Sequence, residues 1–175
     1  MTLAFTGIRI GEAAQLRWSE VDLDARQLRI VDESANVAGG REVITTKNRK
    51  SRVIPLHTEV VAVLQTLPGK HRGKVFHGPR GGILKPDTVR NIFEREVLAA
   101  LKSKFPSSGF ERGRIHSFRH LFCSTCFRHG IPEADIRLML GHADSQMVAH
   151  YRHLGEDEHL KQIDKLRPLG RQDAT

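Results

Sequence analysis

The sequence predicts an α+β fold, a mainly helical domain that carries one small three-stranded antiparallel sheet. Helices are indicated by apolar side chains that recur every three or four residues, most clearly after residue 86. Strands are indicated by three short β-branched stretches in the first third of the chain, separated by turn-forming residues. With 39% hydrophobic and 27% charged residues, the 175-residue chain is expected to form one compact domain over residues 1–175.

The first half of the chain alternates between helical and extended patterns. Leu3-Ala-Phe5 resembles the end of a helix, and residues 11–18 have the apolar spacing of an amphipathic helix. The predicted strands are residues 28–31, 42–46 and 52–56. Thr58 is expected to cap a helix that runs to about residue 67, where Pro68 and Gly69 stop it.

The second half is expected to be almost entirely helical. Residues 78–82, which contain three glycines and a proline, predict a loop, and Pro86 and Asp87 then open a helix that reaches Leu101. Further helices are predicted at residues 117–129, 132–140 and 146–151, and a polar tail helix at 156–166. Gly130 and Gly141 stand where two of these helices should end.

The distribution of charge indicates a polyanionic partner. The chain carries 28 Lys and Arg against 20 Asp and Glu, a net charge of +8. Ten of the basic residues fall between Arg41 and Lys85, where only Glu42 and Glu59 are acidic. A field of one sign concentrates a polyanion, and nucleic acid is the expected partner. A solvated basic surface is the alternative interpretation.

No membrane segment or bound cofactor is predicted. The chain has no apolar run near about 18 residues and no basic-then-apolar leader, which predicts a soluble, non-exported protein. Cys123 and Cys126 are three positions apart in an apolar helix, so reduced, buried thiols are the preferred interpretation. Zinc bound with His120 or His129 is the alternative, but a second ligand pair at standard spacing is missing.

Four stretches carry groups that suit phosphodiester chemistry. They are TGIRIGE at 6–12, TKNRKSRVIP at 46–55, HSFRH at 116–120, and LGH at 140–142 followed by Tyr151, the only tyrosine. Two guanidinium groups can hold both non-bridging oxygens of a phosphate and stabilise the charge of the transition state. Histidines donate hydrogen bonds and move protons, a lysine can protonate a leaving oxygen, and nearby cations make a phenol a better nucleophile.

These stretches resemble the catalytic domain of the tyrosine recombinases, the phage integrase family, over residues 3–166 of the chain. The resemblance implies six catalytic residues, which are Arg9, Lys47, His116, Arg119, His142 and Tyr151. It assigns Glu12 a supporting role and Lys47 the position of the β-hairpin lysine, for which Lys50 is the substitute. Ser117-Phe118 departs from the Asp-Leu of many members, a difference expected to affect packing more than chemistry.

The resemblance also implies an activity, namely site-specific DNA cleavage and rejoining through a 3′-phosphotyrosine intermediate, without metal or ATP. The implied assembly is a homotetramer on DNA, and a monomer is the alternative for the isolated chain. The implied location is the cytoplasm, at the bacterial nucleoid or in a phage-infected cell. Members carry an N-terminal core-binding domain, and the chain is expected to lack it together with the first helix of the catalytic domain. The tail, residues 156–175, is expected to dock in cis or on a neighbouring protomer.

Two alternatives to a recombinase remain open from the sequence. A type IB topoisomerase uses a similar pocket, and a catalytically inert DNA-binding fragment would keep the basic surface alone. Four residues are predicted to contact DNA, and they are Arg49, Lys50, Arg52 and Arg80. Three further histidines, His120, His150 and His153, are expected to be flanking or structural residues.

Overall fold

The computed structural model describes residues 1–31, 51–69, 72–141 and 145–155. Its helices are α1 (Thr2–Thr6), α2 (Ile10–Gln15), α3 (Thr58–Thr66), α4 (Pro86–Ile92), α5 (Ala99–Lys104), α6 (Ser117–Arg128), α7 (Glu133–Leu140) and α8 (Ser145–Tyr151). A π-helical turn, Phe93–Leu98, joins α4 to α5, and 3-10 turns cover Trp18–Glu20, Phe110–Arg112 and Arg152–Gly155. In the described ranges, no helix is long and apolar enough to cross a membrane.

The sheet of the described residues has three antiparallel strands in the order β1 (Val21–Asp22), β2 (Gln27–Val31) and β3 (Ser51–Pro55). Leu28 pairs with Ile54 across β2 and β3, and both side chains are fully buried, so this face of the sheet lies on the core. The predicted sheet is confirmed, but its composition differs. β1 was not predicted, and the predicted strand at 42–46 lies outside the described residues.

Most of the predicted helices are confirmed, with two corrections. The helix opened by Pro86 continues through the π-helical turn to Lys104, and α6, α7 and α8 match their predicted ranges to within one residue at each end. The cap predicted at Thr58 is wrong. His57 caps α3, because its Nδ1 accepts a hydrogen bond from the backbone N–H of Glu59 at 3.2 Å.

The helix predicted at 11–18 ends at Gln15, three residues early. Beyond that point, the backbone groups bond to a distant segment instead of to the preceding turn. The carbonyl of Leu16 accepts from the N–H of Val75 at 2.9 Å, and the N–H of Trp18 donates to the carbonyl of Gly73 at 3.1 Å. This tertiary pairing overrides the helical pattern of the sequence.

Helix α6 is the central element of the core. Its buried face carries Phe122, Cys123, Cys126 and Phe127, which pack in one cluster with the apolar residues of the sheet, α3, α7 and α8. Helix α1 packs against α6. The first turns of α6 are therefore held rigidly beside the turn that joins α1 to α2, and this juxtaposition places the groups of the candidate active site.

Candidate active site

A cleft of about 670 Å³ opens beside α2, the end of β2 and the start of α6. Arg9 and Glu12 line it from the beginning of the chain, and His116 and Arg119 line it from a segment more than a hundred positions later. The structure thus brings together four of the residues that the sequence singled out. Such convergence is not required by packing, since Arg9 and His116 are hydrophilic side chains that a fold can leave anywhere on its surface.

Glu12 fixes the start of α2. Its Oε2 accepts a hydrogen bond from the backbone N–H of Arg9 at 2.7 Å, and its Oε1 lies 3.5 Å from Nη1 of the Arg9 guanidinium. The Arg9 side chain is 38% exposed and lines the cleft, while the Glu12 carboxylate holds the Arg9 backbone N–H and one end of its guanidinium. The arrangement restricts the guanidinium without neutralising it by burial.

Arg52 holds the same carboxylate from the opposite side. Its Nη2 donates to both oxygens of Glu12 at 2.8 Å, and its Nε donates to the carbonyl of Met139 at 2.8 Å. Only 12% of the Arg52 side chain is exposed. The guanidinium of Arg52 therefore joins β3 to α2 and α7, and the DNA contact predicted for it stays a prediction.

Arg119 is buried, with only 1% of its surface exposed, and its guanidinium donates to the carbonyls of Gly7 and Leu140. These bonds join α6 to the α1–α2 turn and to the end of α7. Gly7 permits this approach, because it has a φ of +64° and a Cβ there would lie 2.5 Å from Cδ1 of Phe122. A large cation in the core is costly unless it is hydrogen-bonded, and the bonds to these two carbonyls offset part of that cost.

Tyr151 is connected to the cleft through two histidine rings. Its hydroxyl lies 3.3 Å from Nδ1 of His120, and the two ring centroids are 5.9 Å apart. His120 in turn meets His116 edge-on, with centroids 5.1 Å apart. The connection follows from helical geometry, since residues 116 and 120 are four apart at the start of α6 and share one face.

The segment that follows the tyrosine is anchored to α7 by ion pairs. Arg152 donates from Nε and Nη2 to the two oxygens of Glu133, at 2.6 and 3.0 Å. Arg137, one turn along α7, donates to the same carboxylate at 2.8 Å. Hydrogen bonds from Arg152 and then from Arg137 lower the pKa of Glu133 to about 2, so this carboxylate stays ionised at all ordinary pH values.

Four predicted site residues, Lys47, Arg49, Lys50 and His142, lie outside the described residues. Arg80 is exposed on the turn closed by the backbone bond between Gly78 and Gly82. The structure therefore shows the positions of the predicted catalytic arginines, Glu12 and Tyr151. The roles of Lys47 and His142 remain predictions from the sequence.

Three features of the site were missed in the sequence. His120, expected to be structural, contacts the tyrosine hydroxyl, and its spacing of four from His116 was the available signal. Arg90 lines the cleft and forms an ion pair with Asp87 on the same helix. The bond between Glu133 and Arg152 joins positions far apart in sequence, so no local pattern marks it.

The two cysteines are buried, reduced thiols on the core face of α6. Burial, together with the neighbouring Cys123, raises the pKa of Cys126 to about 12. Among the described residues, no group of three or more His, Cys, Asp or Glu is arranged to hold a metal ion.

Comparison with known proteins agrees with the geometry. A family model described as the Phage integrase family matches residues 1–158. The tyrosine recombinase XerC-like protein of Caldanaerobacter subterraneus subsp. tengcongensis is 24% identical over 188 residues, covering 95% of this chain and 48% of that protein. Prophage integrase IntS of Escherichia coli is 29% identical over 170 residues, covering 95% of this chain and 38% of that protein.

A solved structure, that of the Tn1549 transposon integrase in complex with transposon right end DNA, has the same fold. Its TM-score is 0.68 at 18% sequence identity, with 93% of this chain and 56% of that one covered. At this identity the likeness establishes the fold alone, and it confirms the predicted helical domain with a small sheet. The chain spans about half or less of the length of these curated relatives.

Proposed function

We propose that this chain, which belongs to the phage integrase family, is the catalytic part of a site-specific DNA recombinase. The observation that carries the proposal is the convergence of Arg9, His116 and Arg119 on one cleft. The hydroxyl of Tyr151 approaches the same region through His120. Cations that converge on one cleft, with a phenol linked to that cleft through two histidine rings, suit nucleophilic attack on a phosphodiester better than they suit DNA binding alone.

In the proposed reaction, the scissile phosphate occupies the cleft. The guanidinium groups of Arg9 and Arg119 and the imidazole of His116 hold the non-bridging oxygens and stabilise the charge that develops on them. Glu12, itself held by Arg52, keeps Arg9 oriented. His142 is proposed as a second histidine donor to the phosphate, by its place in the LGH stretch.

The strand is cleaved by transesterification. The phenol oxygen of Tyr151 bonds to phosphorus as the bond between phosphorus and the 5′-oxygen breaks, and Lys47 supplies the proton that the leaving oxygen needs, with Lys50 as the substitute. The product is a 3′-phosphotyrosine and a free 5′-hydroxyl. Attack by another 5′-hydroxyl reverses the step, so rejoining consumes neither ATP nor metal.

The proposed partner is double-stranded DNA. A net charge of +8 and the exposed Arg80, together with Arg49 and Lys50, would neutralise backbone phosphates. The Tn1549 integrase, which shares this fold, was solved in complex with transposon DNA, and this supports the same kind of partner here. We further propose a homotetramer on DNA, in which the tail at 156–175 docks in cis or in trans. The proposed location is the cytoplasm, at the nucleoid.

The proposal is tested with a nicked suicide duplex, from which the short cleaved strand diffuses away. Duplexes are first selected from a random pool by binding to the chain, and covalent adducts are then counted on a denaturing gel. An adduct formed by the wild type and lost in Tyr151→Phe supports the recombinase, while binding without any adduct identifies an inert DNA-binding fragment. Relaxation of any supercoiled plasmid in molar excess would instead indicate a topoisomerase.

A further inference from the structure

We propose that His120 is the proton acceptor for the nucleophile, a catalytic role that deepens the proposed function and rests on it. The tyrosine hydroxyl must lose its proton when it attacks phosphorus. His120 is the described residue whose ring nitrogen contacts that hydroxyl, at 3.3 Å from Nδ1. Hydrogen-bond reach to the proton that is abstracted is the first requirement for a general base.

The surroundings of His120 hold its ring in this position. It is half-buried on α6, next to Arg119 in sequence, with the tyrosine ring on one side and the His116 ring on the other. Both ring contacts are edge-on, at interplanar angles of 63° and 82°. A ring held on two sides keeps Nδ1 directed at the hydroxyl, which lowers the cost of orienting the base.

The proton balance of the step is complete with this assignment. The neutral imidazole, with its proton on Nε2, accepts the phenol proton at Nδ1 as the phenol oxygen bonds to phosphorus. The bond from phosphorus to the 5′-oxygen breaks in the same step, and that oxygen takes its proton from the separate acid, proposed as Lys47. No oxidant, metal or further reactant enters.

Other groups near the tyrosine are placed for other tasks. His150, the residue before Tyr151 in α8, is exposed and packs edge-on against the tyrosine ring, with centroids 5.0 Å apart. His116 lines the cleft, where the phosphate is proposed to bind. Both oxygens of Glu12 already accept hydrogen bonds from Arg9 and Arg52, which engages this carboxylate away from the tyrosine.

The first experiment compares His120→Ala with His150→Ala, a control that removes a ring packed on the same tyrosine. Single-turnover cleavage of the suicide duplex and binding of the same duplex are measured for both. We expect His120→Ala to lower the cleavage rate about 100-fold with nearly unchanged binding, and the control to change it less than about threefold. His120→Asn, which keeps a polar side chain, serves where the alanine variant is unstable, and added imidazole should restore part of the rate.

The second experiment locates the defect on the nucleophile side. A duplex whose scissile 5′-oxygen is replaced by sulfur needs no proton donor for its leaving group, so the His120 defect should persist on it. Fluorinated tyrosine at position 151, whose phenol loses its proton more readily, should shrink the defect. Unchanged cleavage in both His120 variants, or a defect that vanishes on the sulfur substrate, overturns the inference. Failure of the proposed function would be a different result, the absence of any adduct that depends on Tyr151 in the wild type.

Discussion

The arginine side of the cleft and the tyrosine segment beside it are held by contacts of different depth. Arg119 is buried and bonded to two backbone carbonyls, so its position belongs to the core. The tyrosine segment packs on the core through Val148, but its polar contacts, from the tyrosine hydroxyl to His120 and from Arg152 to Glu133, lie nearer the surface, where the Arg152 side chain is 58% exposed. Loss of the buried contacts on the arginine side should therefore cost more folding stability than loss of the polar contacts on the tyrosine side.

The largest effect is expected for Arg119→Ala. The variant leaves the carbonyls of Gly7 and Leu140 without their donor and opens a cavity, so it should lose about 3 kcal/mol of unfolding free energy. Cleavage of bound DNA should fall about 100- to 1,000-fold, far more than binding falls. Single-turnover cleavage and denaturant unfolding, followed by the fluorescence of the buried Trp18, check both expectations.

Arg9→Ala sharpens this comparison, because Arg9 is proposed to hold the same phosphate from a half-exposed position. We expect a similar loss of cleavage but a loss of only about 1 kcal/mol in unfolding free energy. Equal losses of unfolding free energy in the two variants would show that the burial of Arg119 adds no stability beyond that of the half-exposed Arg9.

Gly7→Ala should destabilise the packing on the arginine side of the cleft without replacing a proposed catalytic residue. Its backbone φ of +64° disfavours a side chain, and the new Cβ would overlap the ring of Phe122. We expect a loss of about 3 kcal/mol of unfolding free energy. The matched control is Gly11→Ala in α2, where nothing lies within 4 Å of the added Cβ, and the helix should become slightly more stable. Similar melting temperatures for both variants would contradict the packing described at Gly7.

Glu133→Gln tests the anchor of the tyrosine segment. The ion pairs are partly exposed, so the variant should lose about 1 kcal/mol of stability near neutral pH. The pKa of Glu133 is lowered from 4.5 to about 2 in the folded chain, so its stabilising effect is complete above the unfolded value and is lost as the pH falls through this window. Thermal unfolding of both proteins across that range measures the difference, which should shrink on acidification.

The same variant should slow cleavage by a few-fold through looser placement of Tyr151. Asp135→Asn, an exposed acidic residue in the same helix, is its matched control and should cost about 0.3 kcal/mol. A stability difference that is independent of pH, or equal losses for the two variants, would show that Glu133 does not anchor the segment through its charge.

The smallest effect is expected for Arg80→Ala. If this exposed arginine neutralises one DNA phosphate, the variant should weaken binding similarly for all sequences and reduce the slope of log affinity against log salt by about 1. The cleavage rate of DNA already bound should not change. Titrations at several salt concentrations measure the slope, and an unaltered slope would remove Arg80 from the proposed DNA-binding surface.

The sequence predicted the helical domain well because its signals are local. Apolar periodicity located α4 to α8, and alternation located β2 and β3. The errors arose where distant segments decide the structure. Helix α2 stops at Gln15 because Leu16 and Trp18 pair with Val75 and Gly73, and residues of that distant segment carry no pattern that marks them as partners.

The candidate site was predictable only as far as its motifs extend. Arg9, Glu12, His116 and Arg119 could be named because short stretches place them at family spacing, and the structure places them on one cleft. The inward turn of Arg52 and the contact of His120 with the tyrosine depend on packing between α2, α6, α7 and α8. Such contacts are properties of the assembled core rather than of any single stretch.

The most direct test of the central claim identifies the atom that becomes attached to DNA. The trapped adduct is digested with trypsin, which should release the peptide 138–152, and the peptide is sequenced by mass spectrometry with its nucleotide remnant. We predict that the remnant is a 3′-phosphate ester on Tyr151. Attachment at any other side chain, or through a 5′-phosphate, would contradict the account of this cleft as the site of tyrosine-mediated strand cleavage.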